Sequence, residues 1–268
     1  MKKGVILFAF NSPNYDYYKM AEFTAKRINH FLNLPVTLIT SKESLNSSTG
    51  YNFDDIVILK ADNSNTINGK IWLNKGRYNA YELSPYDETL LLDVDYVVNS
   101  DTLLTTFNLK TDFCCHETVN YLMSEYNIKE MISSNSLPSL WATVINFKKT
   151  KRAKQIFECL KMIQYNYDHY ANIHNLDTET FRNDFALTLS WRIVNGHTYV
   201  PSDIIPWNLT HLGKKIKVYK NTDEKFNTEY TIIYDNYIKN KLRKEYITIK
   251  NMDFHVLNKN IYMELLHD

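Results

Sequence analysis

Cysteine is scarce in this chain: three residues in 268, two of them adjacent at Cys114 and Cys115. So few thiols build no disulfide framework and suit a reducing compartment, so a cytoplasmic location is expected. Glycine and proline are sparse too, six of each, and no internal repeat or low-complexity linker interrupts the chain, so one compact unit is expected. No apolar run approaches the roughly 18 residues of a membrane span, which excludes an integral membrane protein. Neither sign of charge dominates: the formal net charge is +1, so the composition carries no global sign of nucleic-acid binding. What the chain has is apolar bulk, 44% against 23% charged residues, which excludes global disorder and suffices for a sizeable core. Asn, Lys, Ile and Tyr are heavily used, Tyr 20 times, a bias like that of AT-rich coding genomes such as many bacteriophages carry.

Met1-Lys2-Lys3 followed by Val5–Phe10 has the outline of a signal peptide. The apolar run is short, however, and Asn11-Ser12-Pro13-Asn14 offers no cleavage site, so a first strand buried on both faces is expected. Ser12 and Pro13 can open a helix, and Tyr17, Met20, Ala21, Thr24, Ile28, Phe31 and Leu32 recur at helical spacing up to Pro35. Val36–Thr40 and Ile56–Leu59 read as strands, Lys70–Leu83 as a helix ended before Pro85, and Thr89–Asp95 as a buried strand. A short helix capped by Asn99 or Ser100 runs to Phe107, and strands are expected at Asp112–His116 and Trp141–Phe147. A basic-faced helix follows from Thr150 to about Tyr170, then one capped by Asp177 or Thr178 that reaches Val194 and stops at Gly196. This alternation predicts an α/β fold with a mostly parallel central sheet. Residues 1–268 are expected to form one domain: a core over 1–200 and a basic, strand-rich extension over 201–268, with strand-like pieces at Lys215–Tyr219, Thr231–Tyr234 and Tyr246–Lys250.

The chemistry is concentrated in Leu90-Leu91-Leu92-Asp93-Val94-Asp95-Tyr96-Val97-Val98. Two carboxylates at the carboxyl end of a buried strand are costly unless something compensates them, and ligands of open α/β sheets bind beyond that end. If extended geometry persists, Asp93 and Asp95 share a face and their oxygens converge. If the strand turns there, one binds metal and the other a sugar hydroxyl. Hard cations such as Mn²⁺ or Mg²⁺ take such ligands. The bland alternative has one Asp capping the next helix and the other solvated.

The stretch from Lys70 through Val98, including Tyr86-Asp87-Glu88-Thr89-Leu90-Leu91-Leu92-Asp93-Val94-Asp95, resembles the nucleotide-diphospho-sugar glycosyltransferases of the GT-A fold, with glycogenin-like relatives. Trp141–Lys148 resembles their next core strand, Asn183-Asp184 their acceptor-side acidic motif, and Asp253-Phe254-His255 with Lys259 their late metal-binding segment. The resemblance implies a single Rossmann-like GT-A domain that transfers a hexose or pentose from a nucleotide-diphospho-sugar, UDP-sugars favoured, with Mn²⁺ or Mg²⁺ held by Asp93, Asp95 and His255. It places Phe10, Asn11 and Ser12, with Tyr15 and Tyr17, at the nucleotide base. Lys70, Lys75, Arg77 and Lys259 are then the cations for the donor phosphates, and Asp184 orients the acceptor hydroxyl or takes its proton. Two departures bear on donor and ligand identity: Trp141-Ala142-Thr143 stands where glycogenin-like relatives carry Asn-Ser/Thr-Gly, and no Gly separates His255 from Lys259.

Ordinary structural roles compete with each of these residues: a solvated helix face for Lys70, Lys75 and Arg77, a core histidine for His255, and a helix-dipole contact for Asp184. Cys114-Cys115-His116-Glu117 lacks zinc spacing and is rejected as a metal site. Asn46-Ser47-Ser48 and Asn208-Leu209-Thr210 match glycosylation acceptors, which without a secretory signal are expected to have no meaning. Asp-x-Asp also resembles the first motif of haloacid-dehalogenase-type phosphatases, and a non-catalytic sugar-nucleotide binding module is a further alternative. The lysines of Gly213–Lys250 suggest that the acceptor is a hydroxymethylated base of phage double-stranded DNA, in which case the chain works in the host cytoplasm; lipid-linked and polysaccharide acceptors are the alternatives. No protein partner is indicated.

Overall fold

The run Lys3–Ala9 forms strand β1, and its packing explains why Val5–Ala9 is apolar throughout. In the computed structural model, Val5 and Leu7 belong to one hydrophobic cluster, Ile6 to another on the opposite face. Both faces are covered, as a continuous run requires. The structure describes residues 1–45, 53–60, 66–67, 70–72, 76–122, 127–133, 137–176, 180–213, 216–221, 226, 228–238 and 241–266, with backbone alone for 66–67, 70–72, 127–128, 236–238 and 241–242.

Helix α1 spans Tyr17–Leu32, the predicted period, but Asp16 rather than Ser12 caps it, accepting a bond from Lys19 N at 3.0 Å. Asn33 in the left-handed conformation ends it before Pro35 is reached. Strand β2 (Val36–Ser41) leads through α2 (Lys42–Leu45) into β3 (Asp55–Leu59). The helix expected over Lys70–Leu83 is corrected. Strands β4 (Thr66–Ile67) and β5 (Lys70–Trp72) pair with each other instead, and among the described residues of this stretch the first helical turn is a 3₁₀ turn over Arg77–Asn79 that runs into α3 (Ala80–Leu83). Gly76 at φ 91° occupies a conformation no continuing right-handed helix contains. Lys75 and the side chain of Lys70 lie outside the described residues.

Strand β6 (Glu88–Leu92) stops short of the acidic pair and is followed by β7 (Tyr96–Val97), a 3₁₀ helix over Thr102–Asn108, β8 (Phe113–His116), β9 (Val119–Tyr121) and β10 (Asn127–Ile128). Strand β11 (Trp141–Lys148) leads to α4 (Lys151–Tyr165), capped by Thr150 through Ala153 N at 3.2 Å. The single helix expected to about Tyr170 breaks at Asn166, and α5 (Tyr167–His174) is separate. The caps expected at Asp177 and Thr178 lie outside the described residues. Strand β12 (Thr180–Phe181) comes first, and α6 (Asn183–Val194) begins after Arg182. The remaining elements are β13 (Leu209–Leu212), β14 (Ile216–Lys220), β15 (Glu229–Ile238), β16 (Lys241–Lys250), β17 (Phe254–Val256) and α7 (Lys259–Leu266).

Among the described residues the central sheet has the order β3-β2-β1-β6-β11-β8, with β3, β2, β1 and β6 parallel and β11 antiparallel to both its neighbours. This is the α/β fold with a mostly parallel sheet that the alternation predicts. One face is covered by apolar residues of α1 and α7, including Met20, Ile28 and Ile261, the other by residues of α4 and α6, including Ile156, Phe157 and Leu187. A second sheet, β10-β9-β13-β17-β7, lies beyond the end of β6 and draws β13 and β17 from the last quarter of the sequence. The basic stretch folds as the antiparallel ribbon β14-β15-β16. No described helix is long and apolar enough to cross a membrane.

Candidate functional site

Strand β6 carries Leu90, Leu91 and Leu92 into the core, and the chain then turns. Asp93 N donates to Thr143 O on β11 at 3.0 Å, and Tyr96 N donates back to Asp93 O at 3.2 Å. Extended geometry does not persist through the Asp-x-Asp; the turn itself brings the two carboxylates together. It continues into β7, whose Tyr96 and Val97 pair antiparallel with His255 and Phe254 of β17. Val256 N donates to Asp95 O at 3.1 Å, locking β17 against the turn. One ligand atom each from Asp93, Asp95 and His255 then lies within 4.8 Å of the others, a group assembled from residues 160 apart in sequence.

Asp95 is 4% exposed and His255 6%, whereas the Asp93 side chain is more open at 18%. His255 Nε2 lies 3.2 Å from Asp95 Oδ2. Burial holds the His255 imidazolium below its ordinary range, while Asp93 and Asp184 pull the other way, so the ring is neutral near pH 7. Neutral imidazole with two carboxylates is a donor set that fits a divalent cation, the oxygens suiting Mg²⁺ or Mn²⁺ and the nitrogen favouring the latter. The surroundings show that positive charge is stabilised here: the Lys259 ammonium, on the first turn of α7, is ion-paired to Asp95 Oδ2, and the Arg77 guanidinium to Asp93 Oδ1. Burial lowers Lys259 to about 8 although the Asp93 charge opposes that shift. A buried guanidinium and a half-buried ammonium facing two carboxylates offset the cost of taking those carboxylates out of water.

Arg77 is 2% exposed, and its other amine donates to Ala142 O at 2.7 Å. It sits behind Asp93 rather than on a solvated helix face or in the open. Ala142 N in turn donates to Asp184 Oδ1 at 2.8 Å, so Arg77 and Asp184 grip both backbone groups of one β11 residue. Asp184 lies in the first turn of α6 with its second oxygen 3.4 Å from Arg182 Nη2. Both side-chain polar atoms of the neighbouring Asn183 are buried and, among the described residues, unpartnered.

Phe10, Asn11 and Ser12 follow β1, the strand beside β6, at its carboxyl end. Asn11 N donates to Ser44 Oγ at 2.7 Å and Asn11 Oδ1 accepts from Tyr18 N at 2.9 Å, while Ser12 Oγ accepts from Tyr15 N at 3.1 Å. These bonds shape the loop, and the Tyr15 ring packs edge-on against Tyr17 at 6.2 Å. The Tyr17 hydroxyl is raised chiefly by burial, with Tyr15 and the Asp93 charge adding to the shift. Cys114 and Cys115 are buried free thiols, and burial pushes both further from ionisation.

Sequence reasoning misses His211. Its Nδ1 lies 2.9 Å from His255 Nδ1, and its ring packs against Trp141 and Tyr121. Only the parallel pairing of β13 with β17 brings it there, and nothing local marks it.

No family model and no curated protein matches the sequence. Among solved structures the chain is similar to the glycosyltransferase GlyE of Streptococcus pneumoniae TIGR4, at 14% identity over 70% of this chain and 43% of that one, with a TM-score of 0.42. It is similar to mouse xyloside xylosyltransferase 1, at 9% identity over 76% of this chain and 85% of that one, with a TM-score of 0.46. It is also similar to the galactosyltransferase LgtC, solved with donor and acceptor sugar analogues, at 14% identity over 70% of each chain, with a TM-score of 0.43. The chain spans less than half the length of the GlyE chains it matches.

Proposed function

We propose that the chain is a metal-dependent glycosyltransferase that moves a sugar from a nucleotide-diphospho-sugar to a hydroxyl acceptor. The observation that carries this reading is the Asp93–Asp95–His255 group at the carboxyl end of a central parallel strand, flanked by Lys259 and Arg77. Asp93, Asp95 and His255 would hold Mn²⁺ or Mg²⁺, which as a Lewis acid stabilises the charge that develops on a departing nucleoside diphosphate. Lys259 supplies a second positive charge to the donor phosphates from the same side. Arg77, buried behind Asp93, fixes that carboxylate and the Ala142 carbonyl. Asp184 faces the acceptor, orienting its hydroxyl or taking its proton. Phe10, Asn11, Ser12 and Tyr15, on the loop after β1, receive the nucleotide base.

The similar structures lend a DNA acceptor no support. The ribbon's described cations are also interleaved with acids: Lys250 lies 3.5 Å from Glu229, and Lys244 stands opposite Asp235 in the register. A hydroxymethylated DNA base therefore competes with lipid-linked and polysaccharide hydroxyls. Binding to duplex DNA that does not weaken as salt rises would remove the first.

Nucleotide-sugars, UDP-linked hexoses and pentoses first, incubated with the protein with and without Mn²⁺ and followed by phosphorus NMR, test the proposal. Release of nucleoside diphosphate that depends on Mn²⁺ and stops with EDTA is expected. Hydrolysis of simple phosphomonoesters without sugar transfer would replace it with the phosphatase reading, and binding without turnover with the non-catalytic module.

A further inference from the structure

His211 and His255 are register partners on adjacent parallel strands, both rings are buried, and their Nδ1 atoms are 2.9 Å apart. Two nitrogens at that separation share one proton, so one ring donates and the other accepts. On its other side His255 presents Nε2 to Asp95 Oδ2 at 3.2 Å. A neutral imidazole carries a single N–H, which couples the two sides of the ring. When His211 donates to His255 Nδ1, the His255 proton sits on Nε2 and points at Asp95. When His255 Nδ1 donates to His211, Nε2 keeps a free lone pair directed at the acidic turn. Only the second arrangement can ligate a cation. The Tyr121 and Trp141 rings, 5.1 and 5.4 Å from that of His211, hold the accepting ring in place.

We propose that His211 is a positioning residue that accepts the His255 Nδ1–H bond and so selects the tautomer whose Nε2 faces the cation. The inference rests on the three-ligand reading and adds to it a fourth residue that never touches the ion. It assigns a task to a histidine about 44 residues upstream of its partner that the site chemistry otherwise leaves unused.

Mn²⁺ affinity, read from the free-ion EPR signal without donor or turnover, tests it in wild type, His211→Asn and His211→Phe, with thermal melts to establish folding. His211→Phe is expected to bind Mn²⁺ about 10–100-fold more weakly, the usual cost of removing such a partner. His211→Asn, whose Oδ1 can accept the same bond, is expected to keep most of the wild-type affinity. Unchanged binding in His211→Phe overturns the inference alone. So does equal loss in both variants, which would assign the effect to ring packing. A wild-type protein that binds no Mn²⁺ overturns it together with the three-ligand reading. If His211→Phe fails to fold, long-range nitrogen–proton spectra of the Mg²⁺-loaded wild type decide: a protonated Nδ1 on His255 is expected, and a protonated Nε2 sinks the idea.

Discussion

At the scale of single residues, Asp95 is the most heavily engaged group of the site, since one of its oxygens meets both Lys259 and His255. Asp95→Asn keeps the shape and removes the charge. Because burial already holds Lys259 near 8, that lysine can shed its proton when its partner is neutralised, so the fold is expected to survive. The variant should melt near the wild-type temperature, yet lose Mn²⁺ affinity and donor turnover by more than about 100-fold; titration calorimetry and phosphorus NMR measure the two effects. A second buried residue bears on stability instead. His116 is 1% exposed, and neither ring nitrogen has a partner among the described residues. Burial lowers it from 6.5 to about 3. The unfolded chain therefore takes up a proton below pH 6.5 that the folded chain refuses until about pH 3. Stability is fully present above the unfolded value and falls through that window by up to about 1.4 kcal/mol per pH unit. His116→Phe, which forfeits no hydrogen bond and keeps an edge-on ring against Trp207, should flatten this dependence by one proton's worth. Urea unfolding of both proteins between pH 7.5 and 5 reads the difference, and identical slopes would refute the assignment.

At the scale of elements, what local sequence shows and what it hides separate cleanly. Helix α1 buries Met20, Ala21, Thr24, Ile28 and Leu32 of its predicted period, with Tyr17 and Phe31 partly buried, and β1 and β2 are rich in apolar residues because two clusters cover them, a cause that leaves its mark inside the segment itself. The stretch from Lys70 misleads because Ile71 and Trp72 fit a helical period as well as a strand. What decides between them is pairing with β4 and β12, the latter more than 100 residues on. The end of β6 is hidden for a related reason: Asp93 N bonds to Thr143, a contact no window around Asp93 contains. Close approach is equally invisible. A Cβ on Gly4 would stand 2.3 Å from the ring of Tyr86, which is buried and pinned by a 2.9 Å bond between its hydroxyl and Thr37 Oγ1. Gly4→Ala is expected to cost about 1–3 kcal/mol through that collision, seen as a lower urea midpoint at unchanged m-value. Thr150→Ala should cost about 1 kcal/mol by freeing the amide whose bond Thr150 Oγ1 accepts at the start of α4.

At the scale of the molecule, the site exists only because the sheet gathers distant segments at one end. Arg77 precedes α3, the acidic turn follows β6, Ala142 opens β11, Asp184 begins α6, and His255 and Lys259 arrive from the last strand and helix. The acidic pair is legible as chemistry from the chain alone, because carboxylates at the end of an apolar run are anomalous where they stand; Lys259 is legible only through the family resemblance of its segment. His211 is not legible at all, because its meaning lies wholly in the β13–β17 register. Asp184 tests whether this assembly has an acceptor side. Its Oδ1 holds Ala142 N, the residue that Arg77 holds from the carbonyl side, so removing the side chain would disturb the Asp93 surroundings as well. Asp184→Asn avoids this: the amide oxygen still accepts from Ala142, and what is lost is the negative charge together with its 3.4 Å contact to Arg182. If Asp184 orients or deprotonates the acceptor, transfer should slow by about 10²–10⁴-fold while donor and Mn²⁺ affinities change little, a split that single-turnover kinetics and calorimetry resolve. Equal losses in donor binding and transfer would make Asp184 a brace for β11 and leave the acceptor's proton without an owner among the residues described.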